Sequence, residues 1–195
     1  MSITQQRITG KDLLNVGIFA VLITVLLIPI SFIGFIPYLM PLYCVFMPLV
    51  AGIPWMLFAA KTHKRGPVFL LGILLSILLM LTGMGWYSIP LTIISSLLAE
   101  LIIKKGNYMS SKHMIWAHSV FSLWVFGSFI PLFFMADAYW ANASSYGDDY
   151  IRTAKMIFQP WLLPIMIVAC IVFGYLGGLL GRKIMSKHFA KAGIV

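Results

Sequence analysis

Six long apolar stretches run through this 195-residue chain, and its basic residues fall almost entirely in alternate gaps between them. Arg7 and Lys11 precede the first stretch. Lys61, Lys64 and Arg65 fill the second gap, Lys104, Lys105 and Lys112 fill the fourth, and Arg182, Lys183, Lys187 and Lys191 follow the sixth. All but two of the 14 lysines and arginines therefore share one side. Only Arg152 and Lys155 fall on the other, together with Asp137, Asp148 and Asp149. Cytoplasmic segments carry the excess of Lys and Arg, so this pattern puts both termini in the cytoplasm. Two termini on one side require an even number of crossings, and six apolar stretches satisfy that.

Composition agrees. A mean hydropathy of +0.98 with 10% charged residues is far from a soluble domain, where charge runs near ~25%. Six spans of roughly 20 residues each leave no polar segment long enough for a separate catalytic domain, so any nucleotide-driven step needs another chain. The net charge of +9 raises nucleic acid as a partner. The charge lies in short clusters beside apolar spans, however, where it orients the chain and attracts anionic headgroups. The expected partner is membrane lipid and not nucleic acid. Cys44 and Cys170 lie inside spans without metal or redox spacing and read as small buried hydrophobes. The first stretch, Leu13 to Phe35, is too long for a signal-peptide core and lacks an Ala-x-Ala exit, which makes it a span.

The reading is all-α: one transmembrane domain over 1–195, an integral six-helix bundle with spans near 12–33, 38–60, 67–81, 86–103, 113–136 and 159–183. Pro41, Pro48 and Pro54 in the second span remove backbone donors and kink it, and the freed carbonyls need protein neighbours in hydrocarbon. Residues 82–85 form an outer turn. Glu100 is set four residues before Lys104 for an ion pair. In the sixth span Gly174 and Gly178, and Gly177 and Gly181, form two overlapping Gly-x-x-x-Gly pairs that permit close helix approach.

The long outer connection, Asp137 to about Phe158, holds the most suggestive polar and aromatic residues. Connections of that length are usually functional. The candidate substrate-binding set is Trp86, Tyr87, Asp137, Tyr139, Trp140, Asp148 and Arg152, with ring faces supplying area and polar groups fixing orientation. The plainer alternative is an aromatic belt at the headgroups. No metal site is expected. His63, His113, His118 and His188 map to the inner side or inner span ends, and His113 and His118, five apart, do not share a helix face as a ligand pair would. Met40, Met80, Met84 and Met135 could face a haem or corrin ring, but bundle packing is their commoner use. No nucleotide-binding, zinc-protease or serine-hydrolase motif occurs, and no second carboxylate lies at depth beside Glu100. Neither catalysis nor a resident cofactor is expected.

The opening Lys11-Asp12-Leu13-Leu14-Asn15-Val16-Gly17-Ile18-Phe19 resembles the start of a family of small bacterial membrane proteins known as Trep_Strep. The ending Lys187-His188-Phe189-Ala190-Lys191-Ala192-Gly193-Ile194, the Lys61 turn and Gly85-Trp86 fit the same pattern. Members are classed as substrate-binding (S) components of energy-coupling factor (ECF) transporters. The resemblance implies a six-helix protein of the bacterial cell membrane that captures a scarce solute outside. It would dock on a transmembrane coupling protein with two ATPases, and its ligand would sit under the outer connections. Many S components dock through small residues spaced four apart on the first span. Gly17, Ala20 and Thr24 are the nearest equivalents here, with Val21 interrupting the pattern.

The expected function is thus an S component for a small organic micronutrient, either a vitamin or a tetrapyrrole such as haem whose propionates would meet Arg152 and Lys155. Two rivals predict different features. A self-contained secondary transporter or channel calls for repeated halves with broken helices at the midplane. A membrane-embedded enzyme calls for a deep polar pair.

Overall fold

The computed structural model describes residues 8–81, 86–141 and 144–189. Arg7, the turn at 82–85 with Met84 and Gly85, Asn142, Lys191 and the terminal motif beyond Phe189 lie outside the described residues. Within them the chain is all helical, with no strand.

Helix α1 (Gly10–Ser31) opens on a capping box. The Asp12 carboxylate accepts from the Thr9 backbone N–H and hydroxyl, both at 2.7 Å. A 3-10 turn carries α1 on to Phe35, and a second one, Pro37–Leu42, leads into α2 (Tyr43–Lys61). Then come α3 (Pro67–Leu79), α4 (Ser88–Lys105), α5 (Ser111–Phe121), α6 (Leu123–Gly127) and α7 (Ile130–Phe134). Two shorter helices, α8 (Ala136–Ala141) and α9 (Asp148–Ile157), precede α10 (Leu162–Ile184).

Three helical stretches are long and apolar enough to cross a bilayer: Gly10–Phe35, Pro37–Lys61 and Leu162–Lys187. The other three expected spans fall short for separate reasons. Helix α3 has 13 residues, about 20 Å at 1.5 Å per residue against a core of about 30 Å. Helix α4 ends in Glu100, Lys104 and Lys105, so its last third is charged. The fifth stretch is broken twice. Ser122 bonds back to the His118 carbonyl at 2.7 Å, which bends helices, and Pro131 offers no N–H to the turn at Ser128–Phe129.

Helix α2 is the most enclosed of the three long helices and packs most extensively on α10. Pro48 sits where neighbours meet its backbone. His118 donates from Nε2 to the Pro48 carbonyl at 2.9 Å, and Trp55 donates from Nε1 to the Met114 carbonyl at 3.1 Å. This corrects the inner-end placement of His118: it is buried in the core beside Trp55, ring centroids 5.4 Å apart. The two glycine pairs of α10 serve different neighbours. Gly177 and Gly181 lie against the backbone of α2 at Pro48, Leu49 and Gly52, while Gly174 and Gly178 lie against Ile115 and Ser119 of α5 and Ser122 just after it. Helix α3 approaches α4 the same way, with Gly72 against Ser96.

The polar connections meet at one end. Lys64 pairs with Asp12 at 2.8 Å, joining the α2–α3 turn to the start of α1. His63 Nδ1 lies 2.7 Å from the Tyr108 carbonyl, joining the same turn to the α4–α5 connection. Glu100 does not pair with Lys104. Its carboxylate caps the N-terminus of α3 instead, accepting from Gly66 N at 2.9 Å and Phe69 N at 3.4 Å. A free helix start, with unpaired N–H groups and a positive dipole end, is a better partner for a buried carboxylate than a solvated lysine. Gly66 permits that turn, at φ +107°. Arg152 and Lys155 lie at the opposite end, on α9.

Candidate functional site

At the end away from the basic clusters the helices part around a cavity of about 320 Å³. Thr24, Leu27, Ile28 and Ser31 of α1 line one wall, spaced so that they share a helix face. Trp124, Ser128 and Leu132, four apart, line the opposite wall, and Leu75, Leu78 and Leu79 of α3 close a third. Tyr43 and Met47 rise from the start of α2. The roof is aromatic: Tyr139 and Trp140 from α8, Tyr146, and Tyr150 from α9.

The roof is knit together. Trp140 is 5% exposed and sits edge-on to Tyr139, Tyr146 and Tyr150, with ring centroids 5.0, 5.9 and 5.8 Å away. Tyr150 donates to the Gly34 carbonyl and lies 3.1 Å from Met40 Sδ, so α9 is fastened to the turn between α1 and α2. Burial pushes the Tyr150 phenol up to about 12 and raises that of Tyr139. Tyr150 therefore stays protonated and keeps its donor role at physiological pH. Tyr43 reaches across in the same way to the Ser31 carbonyl.

Of the seven candidate binding residues, Tyr139 and Trp140 line the cavity. Tyr87 stands behind them, 6.3 Å from the Tyr139 ring, and Trp86 stacks on Tyr87 with its face exposed. Asp137, Asp148 and Arg152 turn to the outside. Asp137 pairs with Lys155 at 2.6 Å, which holds its carboxyl below the usual range. Arg152 pairs with Asp149 at 2.9 Å, and Asp148 shares a shallow outer depression with Arg152 and Lys155. Neither cation is placed to meet propionates in the cavity.

The connection read as a loop is largely helical, and that explains the division. On α9 a step of two residues turns the helix by about 200°. Asp148 and Arg152 thus face out, while Tyr150 and Ala154 face in. The helix was signalled by Gly147 ahead of two aspartates, with Lys155 in the last turn. Tyr43, Trp124, Phe129 and Tyr150 are wall residues that sequence reasoning missed.

The proposed docking stripe does not form one outward face. Ala20 is fully buried, and Thr24 lines the cavity with its hydroxyl on the Ala20 carbonyl at 2.9 Å. Gly17 alone has open space around its Cα. Among the described residues no cluster of His, Cys, Asp or Glu could hold a metal ion.

Residues 10–191 match the profile of a family described as a hypothetical bacterial integral membrane protein (Trep_Strep). The chain belongs to the Trep_Strep family. Membership makes it an integral membrane protein, and among the described residues three helices are long and apolar enough to cross a bilayer. No curated protein and no solved structure matches this Trep_Strep chain.

Proposed function

We propose that this Trep_Strep protein is the substrate-binding component of an ECF-type importer, spanning a bacterial membrane six times with both termini in the cytoplasm. It captures a small organic micronutrient from outside in the cavity between α1, α3 and α6–α7, under the roof of α8 and α9. A transmembrane coupling protein and two ATPases drive release inside, and the chain itself catalyses nothing. The observation that carries this reading is the position of the cavity: it lies at the end away from Lys64, Lys104 and Lys105, roofed by Tyr139 and Trp140 of the long connection. With the basic end inside, the cavity faces the solute's source. The short α3 and broken α5–α7 cross within the bundle, where neighbours cover their ends.

The test is purification of the tagged chain from its own membranes in mild detergent. A coupling protein and two ATPases should come with it, and deletion of the ATPase genes should abolish uptake of its solute. Uptake that persists without them would overturn the reading.

A further inference from the structure

The chemistry of the cavity wall narrows what it can hold. Among the described residues no lysine, arginine, histidine, aspartate or glutamate lines it. Four of its seven hydroxyls are oriented too; Ser128, Tyr139 and Tyr146 supply the others. Thr24 donates to the Ala20 carbonyl, Ser31 to the Ile28 carbonyl, Tyr43 to the Ser31 carbonyl and Tyr150 to the Gly34 carbonyl. Four protons are thereby committed to backbone, and what those groups still offer a guest is oxygen lone pairs. The remaining wall is largely ring faces and aliphatic carbon. A volume of about 320 Å³ lies at the lower end of the roughly 300–1,000 Å³ usual for small-ligand pockets, which suits a compact ring system and not a macrocycle.

We infer that the cavity takes an uncharged, compact aromatic or heteroaromatic ligand bearing N–H or O–H donors, stacked against the roof rings and donating to the wall oxygens. An ionised carboxylate or phosphate would be buried with no cationic partner, facing only neutral O–H and N–H groups such as those of Ser128 and Trp124, at heavy cost. A cation would gain from the ring faces, but that attraction offsets only part of the cost of burying an unpaired ammonium. The inference rests on the cavity being the protein's solute site, a premise it shares with the importer reading.

A matched series isolates the charge: indole-3-acetamide (neutral), tryptamine (cationic) and indole-3-acetate (anionic), titrated calorimetrically into the full chain in nanodiscs. The amide should bind, and the acetate should bind at least tenfold more weakly, with the amine in between. Leu78→Trp and Ser128→Leu, which fill the cavity, should each weaken the amide at least tenfold in protein whose melting shows it folded. Acetate binding within tenfold of the amide, no binding by any of the three, or indifference to both fillings would overturn the inference. Uptake separates it from the importer reading. Amide binding that no ATPase converts into uptake leaves the ligand class standing and removes the importer, whereas ATPase-dependent uptake that favours the acetate does the reverse.

Discussion

Gly177→Leu is expected to leave little or no folded protein, because position 177 is where α10 presses on the backbone of α2. A Cβ there would run into the Pro48 carbonyl and come within 2.8 Å of the Leu49 carbonyl and 3.0 Å of Leu49 Cα. Backbone atoms cannot swing aside as a side-chain tip can, so the two helices must separate. In hydrocarbon that separation forfeits the packing that holds them together. Even Gly177→Ala should lose about 1–3 kcal/mol to overpacking, more than the roughly 1 kcal/mol it gains in helix propensity. Gly17→Ala is the matched control. Nothing beyond the helix's own adjoining backbone lies within 4 Å of its new methyl group, so the propensity gain should stand alone and the melting temperature should hold or rise. Thermal unfolding in detergent, followed by near-ultraviolet circular dichroism, reads all three. Equal melting of Gly177→Ala and Gly17→Ala would mean that the seam is not tight.

Trp140→Ala should empty the site. The indole is buried against three tyrosine rings, and each such pair contributes about 0.5–1.5 kcal/mol beyond area burial. Losing it loosens the roof and removes a wall at once, so solute carried through gentle purification should fall more than tenfold, read by small-molecule mass spectrometry. Asp148→Ala should change retention little, since Asp148 is exposed on the outer face of α9 and such substitutions usually stay within about 0.5 kcal/mol. Retention by Trp140→Ala at the unmodified level would remove the cavity from the account.

Features governed by chain-local chemistry were legible in the residues. Alternating basic gaps anticipated that Lys64 and Lys105 would sit at one end and Arg152 at the other. Three prolines anticipated that the second stretch would be enclosed, and glycines four apart anticipated close approach by α10. What escaped depended on rotation about helix axes and on partners distant in sequence. Glu100 has a lysine four residues on, yet its actual partner is a helix start 34 residues back. His118 looked interfacial from its position, but the carbonyl it serves lies 70 residues away. The site was half visible for the same reason. Tyr139 and Trp140 were identifiable by type, but without a helix at 148–157 nothing assigned Tyr150 inward and Asp148 outward. The small residues of α1 divide for the same reason, since Ala20 faces the core and Thr24 the cavity.

Import through this cavity requires the aromatic roof to face the outside and the basic end to face the cytoplasm. Single cysteines in place of exposed Ser145 and Lys105 test it in whole cells with a membrane-impermeant maleimide, because the native Cys44 and Cys170 are buried. The cysteine at 145 should label in intact cells and the one at 105 only after lysis. Labelling of 105 with protection of 145 would contradict the account.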